Sequence, residues 1–281
     1  MRASSHNHQD TKFVFIQKGT SSQTFYYLLN EAFGNALPVE EKAASTLARG
    51  MAREGRQCGQ LWGATLAVGA EAYHQGENRA HSTFLAIDTA RQLLTSFEKY
   101  SGAINCKEIS HTDFKARQSS LKYLVGGKAI TCLKLADQWA PEAIKIAKNA
   151  LLSPPKPSGD SCHSCSAMVL RQLGASETEA IMVAGFAGGL GLSGQTCGAL
   201  GAVIWYKALL YLRQNPDKKT APLVLSETLF KAFSEKSQGE TQCRVLSGRT
   251  FTSAKEHSQF MAQGGCRQWL DALCKIAEPP L

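Results

Sequence analysis

The sequence predicts an all-α protein made of two tandem homologous helical repeats that pack together. Apolar residues recur at helical spacing, and a pattern of cysteines and glycines in the first half returns in the second. Three prolines within SPPKPSGD, residues 153–160, predict a break between the halves, because proline disrupts a helix. We therefore divide the chain into an N-terminal extension (1–20), a first repeat (21–152), a Pro-rich linker (153–160) and a second repeat (161–281).

Helical periodicity is clear in both halves. The first half has one face with i, i+3, i+7 and i+10 spacing, and two segments of the second half behave similarly. These faces are Ile87, Ala90, Leu94 and Phe97; Leu229, Phe230 and Phe233; and Cys266, Trp269, Leu270 and Leu273. Strand-like alternation is rare, and TKFVFIQ, residues 11–17, is the one good candidate for a strand.

A Gly-rich approach to a cysteine occurs twice. REGRQCGQLWGA contains Cys58 and GLSGQTCGALGA contains Cys197, so EGRQCG aligns with SGQTCG. Two further cysteine pairs then fall nearly in register. The aligned pairs are Cys58 with Cys197, Cys106 with Cys243, and Cys132 with Cys266, at offsets of 139, 137 and 134 residues. This small drift indicates short loop deletions within one duplicated unit.

The glycines before Cys197 predict a sharp reversal of the chain, because glycine adopts positive φ at little cost. They are Gly188, Gly189, Gly191 and Gly194. Cys197 is then expected near the N-terminus of the next helix, where unpaired N–H groups and the helix dipole favour a thiolate. Gly198 and the small residues after it would let another element approach closely. A purely structural turn with an inert cysteine is the alternative, and the two copies favour a cysteine site.

The second half resembles the C_GCAxxG_C_C family of redox-active proteins, bacterial and archaeal domains marked by four cysteines. The segments that carry the resemblance are CSAMVLRQLG from Cys165, GFAGGLGLSGQTCGALGA around Cys197, GETQC ending at Cys243, and GGCRQWLDAL around Cys266. It covers residues 161–277 well and 21–150 as a diverged copy. The resemblance implies that these four cysteines are redox or metal-ligating residues, with Cys58, Cys106 and Cys132 as their equivalents in the first copy.

Both copies depart from the family pattern. In the second, the closing glycine of the motif comes one residue early, at Gly201, and Ala202 stands at the expected position. In the first, Gly63 has the right spacing but Gln60 replaces the alanine. The first copy also lacks the first cysteine, whose place falls near Phe25 by alignment.

The long gaps between the four cysteines exclude a zinc-ribbon or zinc-finger pattern, which needs close ligand pairs. Thiolates from separate helices could instead hold an iron–sulfur cluster or a zinc ion, or work as two dithiol pairs. Some members of the family are associated with an iron–sulfur cluster fused to haem domains, which favours the cluster. The chain has no C-x-x-C-H motif for haem c attachment.

Two further cysteines stand outside the four. Cys162 forms a C-x-x-C with Cys165, so it is either a redox partner of that thiol or a spare residue. Cys274 follows Cys266 by eight residues, roughly 12 Å along a straight helix, which is too far for a disulfide. We interpret Cys274 as a core cysteine or as part of another site.

The five histidines of the two repeats show no metal-binding spacing, and we predict surface or capping roles for each. They are His74, His81, His111, His163 and His257.

The sequence contains no P-loop, no G-x-S-x-G elbow and no dinucleotide-binding fingerprint after a strand. Two classes of function remain: a redox or electron-transfer protein that uses the four cysteines, or a non-catalytic metal-binding or structural helical module. Either would serve a redox or transporter-associated protein partner, and whether the chain is an enzyme stays open, as does its oligomeric state.

Charge and hydropathy limit the remaining possibilities. The net charge of +8 and a pI near 9.0 indicate a solvated, mildly basic surface rather than a nucleic-acid site. Residues 181–205 carry no charge, but glycines and polar residues interrupt them, so two buried helices are favoured over a membrane span. The N-terminus lacks the apolar core of a signal peptide. This predicts a cytoplasmic protein, or an exported one whose leader has been removed.

Overall fold

The computed structural model describes residues 10–116, 123, 125–152 and 161–278, and throughout these ranges the protein is helical with no strand longer than an isolated bridge. The N-terminal extension contains α1 (Thr11–Lys18), and the first unit contains α2 (Ser21–Phe33), α3 (Pro38–Ala44), α4 (Gly59–Gln75), α5 (Arg79–Ser101), α6 (Cys106–Ser110) and α7 (Lys128–Leu152). The second contains α8 (Cys165–Gln172), α9 (Glu177–Met182), α10 (Gly198–Gln214), α11 (Leu223–Lys236), α12 (Cys243–Leu246), α13 (Ala254–Ala262) and α14 (Arg267–Ala277). The all-α prediction is confirmed. The Pro-rich linker, 153–160, lies outside the described residues.

The stretch TKFVFIQ forms helix α1, so the prediction of a strand at 11–17 was wrong. The side chain of Asp10 accepts a hydrogen bond from the Lys12 N–H and caps the start of the helix. Gly19 ends it in the left-handed conformation, with its N–H bonded to the Phe15 carbonyl. Within the helix only Val14 is fully buried, and Phe13 and Ile16 are exposed. The caps therefore decide the conformation of this short segment against its alternating pattern.

Each unit contains a left-handed turn before the cysteine of its Cys-Gly pair, Cys58 or Cys197. Residues 188–192 all have positive φ, and so do residues 49–53, which precede them by the same 139-residue offset as the cysteines. The second unit places Gly188, Gly189 and Gly191 in this turn, whereas the first has Gly50 alone among arginine, methionine and alanine. Positive φ costs an L-residue roughly 1–2 kcal/mol. The first unit has thus kept the shape of the turn while losing most of the glycines that favour it.

The two units pack through equivalent positions. Gly201 of α10 faces Trp62 of α4, which is its own counterpart at the 139-residue offset, and a methyl group at Gly201 would come 2.9 Å from the Trp62 ring. Contact between a position and its own counterpart is the mark of a twofold relation. Gly69 of α4 likewise packs against the backbone of Met182 in α9. Small residues at these points let the helices of the two units approach closely.

The uncharged stretch 181–205 is divided among the end of α9, a short 3₁₀ turn (Ala184–Phe186), the left-handed turn and the first half of α10. This matches the prediction of buried helices joined by a tight reversal. Among the residues described, no helix has both the length and the apolar character needed to cross a membrane.

Candidate functional site: two cysteine clusters

One isolated β-bridge in each unit brings two of the cysteines together. Thr196 pairs with Gln242 in the second unit, and Gln57 pairs with Asn105 in the first. In the second unit the N–H of Cys197 donates to the Thr241 carbonyl at 2.7 Å, and the N–H of Cys243 donates to the Gln195 carbonyl at 2.5 Å. The bridge therefore fixes each motif cysteine beside the next cysteine along the chain.

The same bonds recur in the first unit. The N–H of Cys58 donates to the Ile104 carbonyl at 2.8 Å, and the N–H of Cys106 donates to the Arg56 carbonyl at 2.7 Å. Cys58 and Cys197 are the N-cap residues of α4 and α10, respectively. The duplicated sequence pattern is therefore a duplicated backbone arrangement.

All four cysteines of the second unit line one small cavity, which we call the four-cysteine cavity. They are Cys165, Cys197, Cys243 and Cys266, and the cavity volume is about 20 Å³. Its other walls are apolar apart from His257, and they include Leu246, Phe251, Phe260, Trp269 and Leu270. Cys165, Cys197 and Cys243 are buried, while Cys266 is half-buried. Cys266 is thus the most accessible of the four thiols.

His257 is the polar member of this cavity, and it hydrogen-bonds the thiol of Cys165. The imidazole is 1% exposed, and its Nδ1 lies 3.2 Å from the carbonyl oxygen of His163. Because a carbonyl only accepts, Nδ1 carries a proton, and Nε2 is left for the sulfur. The prediction of a surface or capping role was therefore wrong for His257.

Cys165 is the one thiol among the four whose pKa is lowered. Its burial would raise the pKa of the thiol, but the electrostatic interaction with His257, the hydrogen bond from that side chain and the N–H of Gly188 together hold the pKa below its ordinary value. Gly188 belongs to the left-handed turn, so the turn presents a backbone donor to the sulfur. A buried cysteine beside a histidine in this way is the arrangement that activates thiol nucleophiles.

The other three thiols of the cavity are held in the neutral form. Burial is the main cause that raises the pKa of Cys197 to about 12, and the neighbouring Cys165 adds to it. Hydrogen bonds from the backbone at Leu200 and Ala199 offset only part of this increase. Burial and the neighbouring thiols also raise the pKa of Cys243 and Cys266. Cys197 does cap its helix, but the expectation that the helix N-terminus makes it a thiolate was wrong because desolvation is the larger effect.

Cys58, Cys106 and Cys132 also form a cluster, and Tyr123 joins it. Burial is the main cause that raises the pKa of Cys58, and the neighbouring Cys106 and Cys132 add to it. The phenol of Tyr123 forms a hydrogen bond with Cys132. Burial also raises the pKa of Cys106 to about 12. None of the three thiols in this cluster has a lowered pKa in the part of the chain that the structure describes.

Ser21 occupies the position of the missing cysteine in the first unit. Ser21 is the first residue of α2, preceded by the N-cap Thr20, just as Cys165 is the first residue of α8 after the N-cap Ser164. Its hydroxyl lies against Gly59, the residue that follows Cys58. Phe25, to which alignment pointed, lies one turn later and stacks on Trp139 with ring centroids 4.9 Å apart.

Tyr123 is the counterpart of His257. Each precedes the last cysteine of its cluster by nine residues. Each also contacts an equivalent phenylalanine: His257 lies 4.9 Å from the ring of Phe251, and Tyr123 lies 5.2 Å from the ring of Phe114. In the first unit, serine and tyrosine therefore stand at the positions that Cys165 and His257 hold in the second.

The two remaining cysteines lie outside the four-cysteine cavity. The thiol of Cys162 is hydrogen-bonded to Ser258, and burial raises its pKa to about 12. The thiol of Cys274 donates to the side-chain oxygen of Gln172 at 3.2 Å. Neither lines the cavity that holds Cys165.

The glycines singled out in the second unit shape the site through the backbone. Gly189, Gly191 and Gly194 have φ of +85°, +57° and +71°, and a methyl group at Gly191 would come 2.8 Å from the carbonyl oxygen of Ala90. Gly198 packs against the carbonyl of Phe186, where a side chain would overlap. Gly189 also accepts a hydrogen bond from the side chain of Gln57 in the first unit, at 2.8 Å.

Four thiols are the donor set that zinc ions and iron–sulfur clusters use. The cavity between the four thiols has a volume of about 20 Å³, little larger than the roughly 10–15 Å³ that one water needs. Within the described ranges, no group of three or more His, Cys, Asp or Glu side chains is arranged to hold a metal ion.

Comparison with known proteins agrees with the duplicated architecture. No curated protein and no solved structure matches the chain. The sequence profile of one family matches twice, over residues 20–146 and 161–279, and so covers both units. The chain thus belongs to the C_GCAxxG_C_C family, described as "Putative redox-active protein", and carries two copies of its domain.

Proposed function

We propose that the second unit is a two-electron thiol–disulfide redox centre in which Cys165 is the nucleophile. The observation that carries this proposal is the contact between Cys165 and His257 inside the four-cysteine cavity. Cys197, Cys243 and Cys266 line the same cavity and can supply the second sulfur. Oxidation joins Cys165 to one of them in a disulfide and releases two electrons and two protons.

The chemistry assigns different tasks to the four thiols. The thiolate is the attacking form of a cysteine, so the low pKa of Cys165 makes it the first sulfur to react. The raised pKa values of the others keep them protonated until Cys165 has been oxidised, after which a neighbouring sulfur attacks it and completes the disulfide. A protein redox partner would meet this centre at Cys266, the half-buried thiol.

The first unit supports the proposal by contrast. It has the same bridge, the same left-handed turn and three of the cysteines, but Ser21 and Tyr123 replace the reactive pair. A serine cannot form a disulfide, and a tyrosine whose pKa is raised by burial and by the neighbouring thiols cannot provide a positive charge. We therefore assign the redox reaction to the second unit.

Equilibration with glutathione redox buffers, followed by mass-spectrometric disulfide mapping, tests this function. We expect one intramolecular disulfide that contains Cys165, its loss in Cys165→Ser, and at least tenfold slower alkylation of Cys165 at pH 7 in His257→Gln. Cys58→Ser and Tyr123→Phe are the matched controls in the first unit, and they should leave both readouts unchanged. A disulfide confined to the first unit, or none under any buffer, would refute the proposal.

A further inference from the structure

We propose that the oxidant of this centre is a small hydroperoxide, with hydrogen peroxide as the simplest case, rather than a disulfide. This inference rests on the proposed redox function and names its substrate. The cavity volume of about 20 Å³ exceeds the roughly 10–15 Å³ that holds one water. It therefore has room for a molecule built on two oxygen atoms.

Access to Cys165 excludes a larger oxidant. Its residue is 6% exposed, and the walls that face it are the rings of Phe251, Phe260 and Trp269. Attack on a disulfide requires the two sulfurs of the substrate and their attached carbons to reach the thiolate in line. The cavity has no space for that group, whereas a peroxide can enter it whole.

The first step is a displacement at oxygen. The thiolate of Cys165 attacks one oxygen of hydrogen peroxide, a sulfur–oxygen bond forms and the oxygen–oxygen bond breaks, which oxidises Cys165 to the sulfenic acid. The leaving hydroxide takes the proton on Nε2 of His257 and departs as water. His257 is positioned for this transfer because its Nδ1 is already fixed by the carbonyl of His163.

The second step closes the disulfide. The thiol of a neighbouring cysteine attacks the sulfur of the sulfenic acid, the sulfur–oxygen bond breaks, and the hydroxide leaves as water with the proton of that thiol. In total, two thiols and one hydrogen peroxide give one disulfide and two waters. Three of the four sulfurs in the cavity are candidates for this attack, so the sulfenic acid forms beside its resolving thiols.

Rapid mixing of the reduced protein with hydrogen peroxide or with an equal concentration of oxidised glutathione separates the two classes of oxidant. Trp269 lines the cavity, so its fluorescence reports the reaction. We expect oxidation by peroxide to be at least tenfold faster, with a dimedone adduct on Cys165 that is absent from Cys165→Ser. Faster oxidation by glutathione disulfide would overturn the peroxide inference and leave the redox function standing. No oxidation by either reagent would refute both.

A cavity-widening variant provides an independent test of the size argument. Trp269→Ala should speed oxidation by glutathione disulfide at least tenfold while changing the peroxide rate less than threefold, because only the larger oxidant is limited by space. Phe260→Ala makes the same test at another residue of the cavity wall if the tryptophan variant does not fold. For these variants, thiol alkylation and mass spectrometry replace fluorescence as the readout. Equal acceleration of both oxidants in a folded variant would contradict the inference.

Discussion

The reactive pair can be transplanted into the first unit. The structure places Ser21 where the second unit has Cys165, and Tyr123 where it has His257. The double variant Ser21→Cys/Tyr123→His should therefore create a second activated thiol. A gain of reactivity is a stringent test, because a misfolded protein would not produce a thiolate of lowered pKa at one chosen position.

The expected magnitude follows from the pKa values of the thiols. Burial raises the pKa of Cys106 in the first unit to about 12, and a lone cysteine at position 21 should be similar. The pKa of Cys165 lies below its ordinary value of 9.0. At pH 7 these values correspond to thiolate fractions of about 10⁻⁵ and more than about 10⁻², a difference of about 10³. The weaker nucleophilicity of a low-pKa thiolate reduces this to about 30-fold in rate.

The assay is iodoacetamide alkylation at pH 7 with mass-spectrometric identification of the labelled peptide. A Cys165→Ser background removes the native reactive thiol, and the single variant Ser21→Cys is the matched control. We expect position 21 to be alkylated about 30-fold faster in the variant that also carries Tyr123→His. If circular dichroism shows that both variants are folded and their rates are equal, the assignment of these positions as a reactive pair is wrong.

Three further predictions concern stability and redox behaviour. In urea unfolding, Gly191→Ala should destabilise the protein by at least about 1 kcal/mol more than Gly174→Ala. Both glycines have positive φ, but only at Gly191 would an added methyl group meet a carbonyl oxygen, that of Ala90 at 2.8 Å. Equal losses of stability would show that the protein relieves this contact at no cost. The reduced protein should lose stability as pH rises from about 8.5 towards 12. A thiol such as Cys197, whose pKa is about 12, stays protonated in the folded protein while the same thiol ionises in the unfolded chain. Each such thiol lowers the free energy of unfolding by up to about 1.4 kcal/mol per pH unit. Urea midpoints at pH 7.5 and 9.5 measure this, and a flat profile would contradict the raised pKa values. Cys197→Ser should alter the glutathione redox titration of the second unit, whereas Cys58→Ser should not. A larger effect of Cys58→Ser would assign the redox reaction to the first unit instead.

Much of the fold could be predicted from the sequence because the duplication is recorded in residues whose chemistry is distinctive. Cysteines and glycines at nearly constant offsets indicate one repeated backbone, and the five successive positive φ angles in each unit show why glycine recurs there. The misassigned segment, helix α1, has a pattern too short for period alone to distinguish a strand from a helix. Its conformation depends on the caps at Asp10 and Gly19.

The reactive pair was harder to find because its members are far apart in sequence. His257 lies 92 residues from Cys165 and belongs to no recognised spacing, so its burial against the thiol depends on how α13 meets the segment at the start of α8, where His163 bonds to His257 and Ser258. One pattern in the sequence could have revealed it. The residue nine positions before the last cysteine is histidine in the unit with four cysteines and tyrosine in the unit with three. Two positions that change together between copies indicate a shared task.

The persistence of the first unit without its reactive pair has a structural explanation. Its bridge and left-handed turn contact the second unit directly. Gln57, the bridge residue before Cys58, donates its side-chain N–H to the carbonyl of Gly189 at 2.8 Å. Gly189 adjoins Gly188, whose N–H helps to lower the pKa of Cys165. The side chains of Met51 and Trp62 pack against Gly201 at the start of the helix that Cys197 caps. The first unit can therefore lose its chemistry but not its shape, because the backbone donor at the active thiol depends on it.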